Sequence, residues 1–319
     1  MLDLIVRLPG GEISVTRLTA CDVAQSTVLL RGFKGQVFAF NQPENIPQLT
    51  FWTGFGLEKF QSSIKTNAAS YQDKVRKAID AIQRHSLNKV VLSRDDFFEV
   101  NQASAEYTFK ELSDRFSDCT VFAFKHAVLG DWMGASPEVL LQQKDVGYQS
   151  MSLAGTRLKS SQKASWGSKE QEEQNFVTNE IVNKLKAYGG KITISSPRTQ
   201  KAGPVEHLLT WVSSDNGSLN EIEVLESLHP TPAICGTPTK KAKQMIEELE
   251  QYDREMYTGY LALMGTHLHA IVLLRSMKWH SNGIRFFAGG GITKDSVPLS
   301  EWKETEHKIS ALKDSIILK

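Results

Sequence analysis

Apolar residues in this chain fall mostly in short alternating or compact runs, with helical spacing in between. Residues 2–8 and 12–18 alternate around a Pro9-Gly10-Gly11 turn, which predicts a hairpin. Strand-like runs follow at 28–33 and 37–40. Residues 41–66, with two prolines and scattered polar residues, read as loop and mark the best candidate boundary. Tyr71, Val75, Ala78, Ile79 and Ile82 then recur with helical period over 67–84. They lead into Lys89-Val90-Val91-Leu92-Ser93-Arg94, a compact β-branched run and therefore a buried strand. A helix over 104–116 precedes strands at 120–127, 138–143 and 148–153. Next come a helix at about 169–187, a strand at 191–195, a turn-rich link and a strand at 207–213. Helices near 219–227 and 238–251 flank a proline-rich loop, 228–238. Strands at 258–264, 268–276 and 283–288, a Gly289-Gly290-Gly291 turn and a C-terminal helix complete the pattern.

Strands outnumber helices and arrive in runs. That predicts an α+β fold with mainly antiparallel sheets and helices packed outside, rather than regular βαβ winding. A dinucleotide-binding fold is excluded, because the glycine triplet lacks the G-x-G-x-x-G spacing and sits near the chain's end.

Composition narrows the function classes. A net charge of +1 with no basic run leaves nucleic acid no electrostatic footprint. No segment is apolar for long enough to span a bilayer, and the first residues lack the pattern of a signal peptide. Three dispersed cysteines without a C-x-x-C favour neither a disulfide framework nor a zinc cluster, so a cytoplasmic setting is expected.

A handful of residues interrupt the apolar pattern with charge. Lys89 opens an apolar strand, where a lysine either snorkels from the strand end or, if buried, acts as a general base. Glu138 heads the next such strand after a proline turn, and is either a solvated turn residue or an acid with a raised pKa. Gly155-Thr156 ends a strand in a turn whose N–H groups could meet an anion. The acidic run 169–175 suits a solvated helix start, although one glutamate could turn inward toward a metal. His229 reads as a structural or substrate-orienting residue, since no second histidine lies at ligand spacing. Arg275 interrupts a near-continuous apolar strand and demands a carboxylate partner, internal or bound. Glu304 and Lys308 are i,i+4 neighbours on the last helix, either a surface ion pair or a metal ligand beside an anion-binding lysine.

These blocks, in this order, resemble the chorismate-utilising enzymes, and most closely the isochorismate synthases. The matching stretches are KVVLSR (89–94), GASPEVLL (134–141), SLAGTR (152–157), the glutamate-rich helix start, LHPTPAICGTP (228–238) and FAGGGI with EWKETEHK (287–308). They cover roughly residues 70–319. The resemblance implies one large domain over 1–319, in which two mainly antiparallel sheets, enclosed by helices, surround a magnesium site. It implies that Lys89 activates a water and that Glu138 protonates the departing C4 hydroxyl of chorismate. Glu173 and Glu304 match the magnesium ligands, with Glu172 as the alternative to Glu173. Arg275 and Lys308 match residues that bind substrate carboxylates, helped by Gly155, Thr156, Gly289 and Gly291. His229, Ala233, Tyr257 and Leu274 are expected around the same substrate.

Ala154 stands where aminodeoxychorismate synthases place a nucleophilic lysine, and Lys89 is a base that anthranilate synthases usually lack. The expected reaction is therefore water addition at C2 with loss of the C4 hydroxyl, by a monomer without nucleic-acid or membrane partners. Salicylate synthase is the runner-up within the family, and a non-catalytic binder of a small dianion is the alternative outside it. The first 70 residues are short for the family, so any sheet edge they supply is expected to be minimal.

Overall fold

The computed structural model describes residues 1–61, 66–84, 87–158, 165–202, 205–217 and 220–318. In chain order the strands are β1 (Leu2–Arg7), β2 (Ile13–Ala20), β3 (Val28–Arg31), β4 (Val37–Asn45), β5 (Lys89–Glu99), β6 (Thr120–His126), β7 (Gly130–Ser136), β8 (Val139–Gln143) and β9 (Tyr148–Leu158). They continue with β10 (Ile192–Ile194), β11 (Arg198–Ala202), β12 (Val205–Ser214), β13 (Gly236–Thr237), β14 (Tyr260–Leu263), β15 (His269–Val272), β16 (Ser276–His280) and β17 (Gly283–Ile292). The helices are α1 (Gln48–Trp52), α2 (Ala68–Gln83), α3 (Ala105–Arg115), α4 (Ser168–Lys186), α5 (Glu221–Leu228), α6 (Thr239–Leu249) and α7 (Pro298–Lys313).

Every pairing between these strands is antiparallel, and together the pairings trace one path. It runs β13-β5-β17-β16-β7-β6-β1-β2-β4-β3-β14-β15-β8-β9-β12, with β10 and β11 sharing the far edge of β12. The expected two sheets are thus two halves of one ladder, joined through β1, β2 and β4. The N-terminal strands are not an edge; they are the link between the halves.

Alternation assigns each strand two different faces. Leu2, Leu4, Val6, Phe122, Phe124 and Trp132 from one half meet Val28, Leu30, Leu261, Ile271 and Leu273 from the other in a single buried cluster. On the opposite face Ile5, Val121, Met133 and Phe286 pack under α3 and α7. In the second half Leu29, Tyr260, Ala262, Ala270 and Val272 pack under α4 and α5. The molecule is layered helix, sheet, sheet, helix. Strands covered on both sides must read as continuous apolar runs, which is why 90–92 and 270–272 do.

Most predicted elements are present, and the differences have local causes. The segment read as loop extends β4 to Asn45 and contains α1, whose Phe51 is buried; residues 62–65 lie outside the described residues. β7 and β11 were not foreseen, the first because it is rich in Gly and Ser, the second because RTQKA is a polar edge. Residue 219 of the expected helix and residues 203–204 of the link lie outside the described residues. The expected strand 268–276 is β15 followed by a break at Leu273–Arg275, where Arg275 has φ +47°, and β16, which starts at Ser276, is not among the expected strands. Gly289-Gly290-Gly291 is no turn but the interior of β17, paired with Ser93, Leu92 and Val91 of β5. Among the described residues no helix is long and apolar enough to cross a membrane.

Trp132 is fully buried where the two half-sheets meet, and its indole N–H donates to the Leu129 carbonyl at 2.8 Å. Trp132→Ala is expected to cost about 3–5 kcal/mol, read as a lowered midpoint of denaturant unfolding.

Candidate active site

The layer between the half-sheets gives way at one end to a cavity with about 750 Å³ of empty space, partly open to solvent. Its wall draws on β5, β9, β12 and β17, on α4 and α7, and on the segments around Glu138, Ala233, Tyr257 and Arg275. Twelve of the residues singled out from the sequence line it: Glu138, Gly155, Thr156, Glu173, Ala233, Tyr257, Leu274, Arg275, Gly289, Gly291, Glu304 and Lys308.

Lys89 stands just behind that wall. Val90 and Leu92 of β5 pack under α2 and α6, so alternation turns Lys89 and Val91 the other way, toward the cavity. The lysine does not snorkel: its side chain is 0% exposed, with Nζ 2.7 Å from Glu173 Oε1. That is an ion pair by distance, although the ammonium is not aimed as a hydrogen-bond donor. Gly291 makes room for it. A Cβ on Gly291 would sit 2.2 Å from Glu173 Oε1 and 2.9 Å from Lys89 Cε. The glycines of β17 therefore serve close approach rather than a turn.

Glu138 comes from the other half-sheet and is 2% exposed. Burial raises its pKa to about 8, against the smaller lowering effects of Lys89 and of the Thr231 hydroxyl, 3.4 Å from Oε1. At neutral pH it is a carboxylic acid with a proton to give.

On α7, Lys308 donates to Glu304 Oε1 at 2.7 Å and to the Gly289 carbonyl at 2.8 Å. The i,i+4 pair is real, and it faces the cavity. Glu304 and Glu173 offer hard oxygen donors. The outward face of Gly290 lies close to Glu304 Oε1 and to Glu301 Oε2. Glu301, buried on α7, carries a third carboxylate that the sequence reading missed. Among the described residues no group of three or more acidic, His or Cys side chains is placed to hold a metal. Magnesium keeps several waters and takes one or two carboxylates, and Glu173 and Glu304, both in the cavity wall, are carboxylates of that kind.

The expected contact of His229 with the substrate needs correction, and for Arg275 the bound partner is the one of its two expected alternatives, internal or bound, that is left among the described residues. His229 does not line the cavity: its Nε2 donates to the Thr258 carbonyl at 2.8 Å and its Nδ1 accepts from Arg31 at 2.5 Å. Burial first, then the charge of Arg31, lower its pKa to about 3, so it is a neutral anchor behind Thr258, a wall residue held at φ +62°. Arg275 is 8% exposed but has no carboxylate partner among the described residues. Its guanidinium meets His207 Nε2 at 2.8 Å and Cys119 Sγ at 4.0 Å.

His207 is a wall residue that sequence reasoning did not single out. It heads the run Leu208-Leu209 of β12, directly after Glu206, where a histidine looks like part of the strand. Its Nδ1 is 2.9 Å from the Gly155 carbonyl, and Gly155, at φ +65°, is the extra residue of a β-bulge between β9 and β12. Thr258 and Ile234, also in the wall, are braced by Arg254, whose guanidinium bonds the Ile234 and Val91 carbonyls and pairs with buried Glu250.

A cavity with a neutral acid, a buried lysine and further basic groups facing two carboxylates can hold a small dianion and move protons on it. Comparison with known proteins agrees. A model of the family described as chorismate binding enzyme matches residues 53–317. The chain belongs to that family. Its match begins inside the segment read from sequence as a boundary.

Isochorismate synthase MenF of Pasteurella multocida is 28% identical over 266 residues, covering 78% of this chain and 62% of that protein. The chain thus spans a little under two thirds of that relative. A crystal structure described as a putative 2,3-dihydroxybenzoate-specific isochorismate synthase, DhbC from Bacillus anthracis, superposes with a TM-score of 0.81 at 22% identity, covering 98% of this chain and 96% of that one. MenF, the menaquinone-specific isochorismate synthase from Escherichia coli, gives 0.82 at 19% identity, covering 99% and 88%. At these identities the structures establish a shared fold.

The buried acid makes a stability prediction with a definite sign. Glu138 carries a folded-state pKa near 8 against an ordinary value of 4.5, so the folded chain holds its proton more tightly than the unfolded one. Below the lower value both forms are neutral and no penalty exists; stability is lost as pH rises toward the upper value. Glu138→Gln is therefore expected to be more stable than the wild type by a few kcal/mol near pH 8, a gain on the order of 1.4 kcal/mol per pH unit that disappears below about pH 4.5. Paired urea melts at acid and alkaline pH measure it; a gain independent of pH sinks the assignment.

Proposed function

We propose that this chain is an isochorismate synthase, converting chorismate to isochorismate with magnesium. The observation that carries the reading is the placing, at one cavity, of a buried, raised-pKa Glu138 in the wall and a fully buried Lys89 just behind it. The names of the relatives support it. Ala154 lining the cavity supports water rather than an enzyme lysine as the nucleophile.

In this reading Arg275 and Lys308 receive the two carboxylates of the substrate, and the backbone at Gly155, Gly289 and Gly291 lets it approach the wall. Glu173 and Glu304 would hold the magnesium ion, which when bound supplies positive charge for a substrate carboxylate. Lys89 first gives the ammonium proton of its ion pair to solvent, and the neutral Nζ then takes a proton from a water whose oxygen bonds to C2. The ring double bond shifts, and the C4–O bond breaks. Glu138 delivers its proton to that oxygen, so the hydroxyl leaves as water. The proton gained by Lys89 and the one lost by Glu138 are restored through solvent. Tyr257, Leu274 and Ala233 supply the apolar and aromatic wall against which the ring lies, and His229 acts only through Thr258.

Purified protein given chorismate and magnesium is expected to accumulate isochorismate, separated by chromatography. Lys89→Ala and Glu138→Gln should each lower turnover by about 100-fold or more, the usual size of a general acid–base contribution. Salicylate and pyruvate as direct products would move the chain to salicylate synthase. Binding of chorismate without turnover would make it a non-catalytic dianion binder.

A further inference from the structure

Of the cationic side chains gathered at the cavity among the described residues, Lys89 and Lys308 each have a glutamate at 2.7 Å. Arg275 has instead an imidazole at 2.8 Å and a thiol at 4.0 Å. We propose that His207 is a positioning residue: a neutral hydrogen-bond acceptor that fixes the Arg275 fork without cancelling its charge. The proposal rests on the assignment of Arg275 to a substrate carboxylate.

Both ring nitrogens are determined by their partners. A carbonyl can only accept, so Nδ1, 2.9 Å from Gly155 O, carries the proton; the Thr156 hydroxyl, 3.3 Å from the same nitrogen, can also accept and is compatible with it. A guanidinium can only donate, so Nε2, 2.8 Å from Arg275 Nη2, presents a lone pair. These two contacts admit one tautomer and exclude the cation, whose second N–H would point at an N–H of Arg275. Burial, together with the charges of Arg275 and Lys308, holds the ring well below its usual range, in the same direction. The bulge at Gly155 supplies the mechanical part. The extra residue puts His207 opposite Thr156 and turns the Gly155 carbonyl to Nδ1.

Neutrality is the point of using histidine here. A carboxylate at the same place would orient Arg275 equally well, but would close it into an ion pair with little charge left for a ligand. An apolar residue would leave the charge available and the fork unheld, with buried N–H groups lacking an acceptor. A neutral acceptor avoids both outcomes.

The test compares His207→Gln, His207→Glu and His207→Phe in the full chain, with magnesium and chorismate. Gln carries an acceptor to about the position of Nε2, and Glu has the same shape with a charge added. Gln is expected to keep chorismate affinity within about threefold of wild type; Phe should weaken it ~10-fold, mostly in KM rather than kcat. Glu should weaken it by a further order of magnitude, on the order of the strength of a buried carboxylate–guanidinium pair. Thermal melts confirm that each variant is folded. Gln and Glu behaving alike, or Gln no better than Phe, overturns the proposal. Nitrogen NMR of histidine-labelled protein reads the tautomer without any substrate, the His207 signals being those absent from the Gln variant. A neutral ring protonated at Nδ1 near neutral pH is expected, and a cationic or Nε2-protonated ring overturns the proposal. A wild-type chain that shows this tautomer but binds no chorismate would instead overturn the proposed function.

Discussion

The site depends on how this fold tolerates charge where water is scarce. Lys89, Glu138 and Arg275 are nearly inaccessible, and an isolated charge at such depth is costly. Each is accommodated differently. Lys89 is paired with a carboxylate, Glu138 gives up its charge by keeping a proton, and Arg275 leans on a neutral acceptor. Three solutions to one problem leave an acid and an arginine in the wall of a single cavity, with a lysine just behind it. The surrounding framework is charged as well: Arg254 and Glu250 form a fully buried pair whose guanidinium ties β5 to the loop around Ile234. Removing one member of such a pair leaves the other uncompensated, so the wall is held by groups that cannot easily be lost singly.

Much of this was legible in the chain because burial leaves local marks. Lys89 and Glu138 stand at the heads of apolar strands, and Arg275 breaks one; each is visible as a charge where the pattern calls for none. The helix pair Glu304 and Lys308 follows from spacing alone, though spacing could not say which way it faced. Other features depend on partners distant in sequence. His207 looks like part of its strand until the bulge at Gly155 is seen. The glycine triplet reads as a turn, because nothing local reveals that Lys89 and Glu173 occupy the space of a side chain at 291. The resemblance sets His229 beside the substrate, and its two bonded nitrogens move it one layer back. β7 and β11 carry too little hydrophobic alternation to declare themselves.

The ladder also sets an order of events during synthesis. β1 pairs with β6, β3 with β14, β5 with β17 and β7 with β16, so early strands await partners made much later. The first strands join the two halves, yet one of their own neighbours, β14, begins only at Tyr260. Such non-local pairing slows folding and leaves strand edges bare while the chain is still being made. A nascent chain of this design spends most of its synthesis as an incomplete sheet, and how long its strand edges stay bare is written into the strand order rather than into any one segment.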